Sequence, residues 1–241
     1  MLNAPDYTRT CSCSYQNQTS LAMVHMPDIE TWTVNPLASV EGEPRRLRSL
    51  GINFGAPGHH RSPEGLLWVE SPSAAGEAPP LLITLDPKQK VFRRHSSAFA
   101  DSDYPWIFAS GIEGAGEIRI GTFIGAKPPG LPSGKKQADA DPEKAPAEKP
   151  AAVVQIPEQA EPVDYKLRLF FSDPAGGESR DPRRFDILID DQAVLADISI
   201  GDGETAIKEI PKITLGSTFR LRLAAKQGVP VLSGIELQRL P

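Results

Sequence analysis

Apolar and polar side chains alternate with a period of two over several stretches of this sequence. Tyr165-Lys-Leu-Arg-Leu-Phe-Phe171 puts Tyr165, Leu167, Leu169 and Phe171 on one side. Residues 183–189 group Phe185, Ile187 and Ile189, and residues 218–223 group Phe219, Leu221 and Leu223. Successive side chains of a strand point to opposite faces, so each run reads as a half-buried strand. Asp190-Asp191, between two such patterns, suits a tight hairpin turn. Earlier in the chain, 47–54, 65–69, 91–99, 106–110 and 117–123 are further short apolar runs punctuated by Gly and Pro. No stretch offers a long, capped helical face. Many short strands separated by turns predict an all-β protein, a β-sandwich or jelly roll.

The pattern breaks in the middle. Residues 126–163 hold 8 of the chain's 24 prolines, no aromatic residue, and intermixed Lys, Asp and Glu. Such a segment buries too little apolar surface to offset the entropy of ordering it, which predicts a disordered, partly extended insert. Prolines at 142, 146 and 150 exclude a continuous helix through its Ala/Glu/Lys part. Strand patterns flank the insert, so 37–125 and 164–241 read as two halves of one sandwich. Residues 1–36 are different in kind: 3–17 are polar, and 21–26 suit one strand. A lone strand is not independently stable, so this part is expected to belong to another domain. Met1-Leu-Asn-Ala-Pro-Asp6 has neither a basic start nor an apolar core, and no signal peptide is read there.

Composition narrows the classes. With 241 residues, 39% of them hydrophobic, the chain can bury a core, and no apolar run approaches the ~20 residues of a membrane helix. A net charge of −5 without a basic stripe argues against nucleic acid as a partner. Two cysteines are too few for a disulfide framework or a four-thiolate zinc site. No nucleophile elbow, zinc-protease helix, P-loop or dinucleotide fingerprint is present, so neither an enzyme nor a cofactor is expected. Glu70, Glu113, Asp173 and Asp186 are carboxylates that a glycosidase would need facing each other across a cleft, a spacing the sequence does not display.

Three strings resemble the C-terminal half of malectin-like domains. They are Phe171-Ser172-Asp173 closing one strand, Phe185-Asp186-Ile187 in the next, and Gly234-Ile235-Glu236 in the last. Leu50-Gly-Ile-Asn-Phe-Gly-Ala-Pro57, Leu67-Trp68-Val69-Glu70 and Ala109-Ser-Gly-Ile-Glu-Gly114 resemble the N-terminal half. Tyr7-Thr-Arg-Thr-Cys-Ser-Cys-Ser-Tyr-Gln-Asn-Gln-Thr-Ser-Leu21 is similar to the end of a quinoprotein-like (PQQ-type) β-propeller. The arrangement is similar to secreted bacterial proteins of planctomycete type. The resemblance implies a carbohydrate-binding type of sandwich, extracytoplasmic (periplasmic or secreted), attached to a propeller. In the animal member, loop aromatics after the Phe-x-acid triplet and an Asp before the closing strand hold a glucose disaccharide. Here those positions read Pro174-Ala175-Gly176 and Gly228-Val229-Pro230, so those contacts do not carry over.

The expected function is therefore non-catalytic recognition of a carbohydrate or glycoconjugate. The alternative is a structural accessory domain that packs on its own β-propeller and binds no small molecule. Tyr104 and Trp106, flanking Pro105 after a polar Asp-Ser-Asp, are the candidates for stacking on a sugar ring. Trp68, between Leu67 and Val69, is a weaker candidate whose ordinary role is core packing. His59-His60-Arg61 reads as surface loop, since adjacent strand residues point apart and no further ligand sits at metal spacing. Gly201-Asp202-Gly203-Glu204 reads as a turn. Cys11 and Cys13 would share one face of a strand, without the geometry to bridge each other. They remain free thiols, half of a metal site, or partners of cysteines in an upstream part, the last fitting an oxidising compartment.

Overall fold

The computed structural model describes residues 44–72, 81–124, 160–174 and 181–241 in full, and 8–15, 18–25 and 32–33 as backbone strands. The first strands are β1 (Thr8–Tyr15), β2 (Gln18–His25) and β3 (Trp32–Thr33). Then come β4 (Arg45–Arg46), β5 (Ser49–Phe54), β6 (His59–Arg61), β7 (Leu67–Ser71), β8 (Leu81–Leu85) and β9 (Lys90–Arg93). One helical turn, α1 (Pro105–Phe108), precedes β10 (Ser110–Glu113) and β11 (Gly116–Ile124). The second half supplies β12 (Val163–Ser172), β13 (Arg183–Ile189), β14 (Gln192–Ile200) and β15 (Thr205–Leu215). It ends with β16 (Thr218–Gln227), β17 (Val231–Leu232) and β18 (Gly234–Arg239).

These strands form an all-β sandwich. The larger sheet runs β15-β12-β18-β5-β7-β6-β3; the smaller runs β14-β13-β16-β11-β4, with β8 also on β11. A third, short ladder, β17-β10-β9, carries Phe92, Ile112 and Leu232 into the same core. The predicted alternation holds at atomic level. Leu167, Leu169 and Phe171 face Phe185, Ile187, Leu221 and Leu223 in the interior. Strands before and after the insert are direct neighbours: Ile52 of β5 pairs with Ile235 of β18, and Ile118 of β11 with Leu221 of β16. Residue 163, assigned to the insert by composition, already opens β12 opposite Leu215. Residues 126–159 of that segment lie outside the described residues.

Asp190 and Asp191 make the expected hairpin turn between β13 and β14, with φ of 46° and 67°. That left-handed pair matches the twist of the flanking strands. Three local expectations change. The run 106–110 is a helical turn rather than a strand, because Pro105 suits a first helical position and lets Ile107 and Phe108 both turn inward. The run 91–99 splits into β9 and a 3-10 turn over Ser96–Phe99, whose Ser97 N–H is capped by His95 Nδ1 at 3.2 Å. At the N-terminus, the strand expected at 21–26 does not stand alone. Polar residues 8–15 form its partner, with Cys11 opposite Ala22 and Cys13 opposite Ser20.

Candidate functional site

The outer face of the larger sheet is not solvated along its whole length. Phe170, which points away from the core, packs with Trp68, Phe99, Ile107 and Phe108 in a second apolar cluster. Burial on both faces explains why Phe170 and Phe171 are apolar in succession, against the period of two. Glycine makes this layer possible. A Cβ on Gly51 would lie 2.0 Å from Trp68 Cδ2, and one on Gly234 would lie 2.9 Å from Ile107. The indole of Trp68 therefore lies down across neighbouring strands instead of standing on the sheet. Asn53 anchors α1 above it: its Nδ2 donates to the Trp106 carbonyl at 3.2 Å, and its Oδ1 accepts from Ser110 Oγ at 3.2 Å.

α1 covers only part of this face. Beside it lies an open groove of about 350 Å³, within the ~300–1,000 Å³ of ligand pockets. Its apolar lining is Trp68, Leu66 and Tyr104; its polar lining includes Ser49, Gln238, Glu236, Arg168 and Glu64. Arg168 is the cationic residue of this lining. Its Nη1 donates to Glu236 Oε2 at 2.9 Å, its Nη2 to the Tyr104 hydroxyl at 3.2 Å, and its plane lies 5.3 Å from the Tyr104 ring centre. Burial opposes that charge, but Tyr104 and Glu236 outweigh it and raise the guanidinium's pKa. On the rim, Ser62 and the residue's own backbone N–H hold the Glu64 carboxyl below the ordinary range. A smaller hollow of about 220 Å³ lies on the other side of Tyr104, between Asp101–Tyr104 and Thr205–Ile207.

The structure gathers the three aromatic candidates into one cluster but gives them different parts. Trp68 is 1% exposed and forms floor, edge-on to Phe170 at 5.3 Å. Trp106 is wedged between His60 at 4.0 Å and Trp68 at 5.1 Å and does not line the groove. Tyr104 packs its edge on Phe170 at 5.3 Å and lines both hollows. The polar groups around it, Arg168, Glu236, Gln238, Ser49 and Glu64, carry no signal of their own in the sequence. The first four meet because of the register Arg168–Glu236 and Gln238–Ser49 across β12, β18 and β5, and Glu64 joins them from the loop between β6 and β7. The polar positions of the Tyr165-to-Phe171 alternation, Lys166 and Arg168, are the sequence signal that could mark this face.

His59 and His60 are not surface loop: β6 buries both, with the Glu70 N–H donating to His59 Nδ1 at 3.1 Å. Glu113 and Asp173 converge, but on one guanidinium. Arg183 bridges Asp173 through Nε and Glu113 through Nη2 at 2.8 Å, and donates from Nη1 to the Val229 carbonyl at 2.8 Å. Asp173 is buried and also accepts from the Gly203 N–H at 3.1 Å. That arrangement ties loop ends together; a glycosidase pair must flank an open cleft. Gly201 to Glu204 is a turn closed by Glu204 Oε2 on the Gly201 N–H at 2.8 Å. Asp186 binds the Asp197 N–H and Lys226 on the outer side of the smaller sheet. Among the described residues no group of His, Cys, Asp and Glu is arranged to hold a metal, and no helix is long and apolar enough to cross a membrane.

No protein family's sequence profile and no curated protein matches this chain. Solved structures do resemble it. A calcium-binding mutant of Bacteroides uniformis β-glucuronidase 2 aligns over 95% of this chain and 22% of the enzyme, at 18% identity and a TM-score of 0.51. The ANXUR2 extracellular domain from Arabidopsis thaliana aligns over 82% of this chain and 49% of its own, at 11% identity and a TM-score of 0.46. A family 35 carbohydrate binding module from Clostridium thermocellum aligns over 65% of this chain and 96% of its own, at 10% identity and a TM-score of 0.30. The strand order makes this an all-β sandwich domain, and at 18% identity the likeness to the glucuronidase is one of fold. The chain spans about a fifth of the glucuronidase it matches.

Proposed function

We propose that this domain is a non-catalytic recognition module that binds a carbohydrate or glycoconjugate outside the cytoplasm, in the groove over the larger sheet. The observation that carries this reading is the composition of the groove. A tyrosine and a leucine offer apolar faces beside Arg168, Glu236, Gln238 and Ser49, which offer directional donors and acceptors. A sugar ring has the complementary character, one apolar face and a rim of hydroxyls. Because Tyr104 and Glu236 already hold Arg168, a ligand meets a preformed array and loses little to ordering it. The resemblance to secreted malectin-like proteins supports an extracytoplasmic setting, and an oxidising compartment in turn favours Cys11 and Cys13 as partners of cysteines in an upstream part.

Affinity electrophoresis of the whole chain in gels containing a panel of soluble polysaccharides tests the proposal. Retardation is expected with at least one polymer, lost in Tyr104→Ala and weakened at least tenfold in Arg168→Met, with no reducing sugar released. A variant that melts cooperatively but no longer binds separates site from fold. The second reading, a structural accessory domain on a quinoprotein-like β-propeller, draws on β1 and β2 pairing only with each other among the described strands. Indifference to every polymer would favour it.

A further inference from the structure

Resting on the groove as a sugar site, we infer that the ligand is an amino-sugar chain bearing free ammonium groups, laid across Tyr104 from one hollow into the other. Tyr104 is a wall of both the larger groove and the smaller hollow, so a chain stacked on its ring reaches past both edges. The floor beyond it remains apolar on the sheet side, where exposed Ile207 lies beside Phe170 in the β12–β15 register. A single terminal sugar would use only one of these two spaces.

Charge then selects the kind of chain. Glu64 and Glu236 line the groove, and Asp101 and Asp103 line the hollow, while Arg168 is the one cationic side chain among the lining residues. Arg168 is already committed to Glu236 and the Tyr104 hydroxyl, so that pair adds no net charge; Arg168 also attracts Glu64 from beyond ion-pair distance, which leaves Asp101 and Asp103 as the carboxylates farthest from any cation of the lining. Nearby cations are engaged elsewhere: Lys166 on Glu209 at 2.8 Å, and Arg61 on the Gly65 carbonyl at 2.8 Å. Among the described residues, Glu64, Asp101 and Asp103 have no ion-pair partner, and all three are exposed. A uronate or sulfated chain would meet carboxylates on both sides of the tyrosine, whereas an ammonium at C2 of each ring finds a counter-charge on either side. Hydrogen bonding lowers the Glu64 pKa, which favours the charged carboxylate as partner for an ammonium group.

Titration calorimetry of the full chain with four tetrasaccharides tests this: glucosamine, N-acetylglucosamine, glucose (β-1,4) and galacturonate, with a lysine tetrapeptide as a fifth probe. The glucosamine tetramer is expected to bind at least tenfold more tightly than its N-acetylated form. The preference should fall severalfold in Glu64→Gln and in Asp101→Asn/Asp103→Asn, and vanish at alkaline pH as the amines lose their protons. Asp191→Asn, on the opposite sheet, removes one charge, as Glu64→Gln does, and should leave the preference intact; a loss equal to that of Glu64→Gln would reduce the effect to overall acidity and overturn the inference. Equal or tighter binding of the glucose, N-acetyl or galacturonate tetramer overturns it while leaving the sugar site standing. Binding of the lysine peptide alone, or of no probe, overturns both.

Discussion

Gly51 shows how one residue determines what a sheet face carries. Its missing side chain is the space in which the Trp68 indole lies, so Gly51→Ala overpacks the layer under the groove. Destabilisation of about 1–3 kcal/mol is expected in urea unfolding, and Gly51→Ala/Trp68→Leu should recover part of it. Additive losses in the double variant would remove the glycine from this role. His59 gives a second residue-level expectation. Burial lowers its pKa from the ordinary 6.5, with Glu70 opposing. The unfolded chain therefore takes up the proton first, and stability present above about pH 6.5 declines as pH falls below it, until the folded imidazole is protonated too. Denaturant melts at pH 7.5 and 5.5 should show this drop, and His59→Gln should lessen it; an identical slope in the variant would clear His59. At this scale the apolar neighbours of Trp68 made its burial legible, although it lies in the second cluster under the groove and not in the central core. The sequence reading missed the burial of His59 and His60, because their cover comes from pairing with β7 and from Trp106 of α1, which only the folded chain brings against β6.

The elements were legible where alternation runs long. β12, β13 and β16 each present a period of two over at least six residues, and the Asp-Asp turn marks where β13 folds back. Short elements were not, since four residues such as Pro105–Phe108 fit either period and only packing decides. Arg183 is the clearest case of elements held together by chemistry invisible in any one of them. It joins the start of β13 to the ends of β12 and β10 and to the loop before β17. Arg183→Met would leave Asp173 buried without its counter-charge, a loss of about 3–5 kcal/mol. Arg183→Met/Asp173→Asn should regain a good part of it, as read from thermal melts; a double variant no better than the single would mean that packing, not charge, dominates there.

For the whole molecule, the class of fold could be read from the sequence because burial on one face imposes its period on every strand. The groove could not, because it is a product of register between segments nearly two hundred positions apart. Arg168, Glu236 and Ser49 become neighbours only when β12, β18 and β5 align. The two sequence halves share both sheets, so neither 1–125 nor 160–241 should melt cooperatively when produced alone. A Gly/Ser segment half as long in place of 126–159 should shift stability by less than about 1 kcal/mol, since halving a flexible loop changes its closure entropy by only about 0.6 kcal/mol. A larger shift would show that the replaced residues make contacts of their own.

The pairing of β5 with β18 also bears on how the protein is made. On the ribosome, β5 emerges early and must wait, with one hydrogen-bonding edge unsatisfied, until almost the entire sandwich has been translated. A nascent chain in that condition exposes Leu50, Ile52 and Phe54 to whatever else is nearby. Its yield in a host cell should consequently depend on holdase chaperones that shield this early strand.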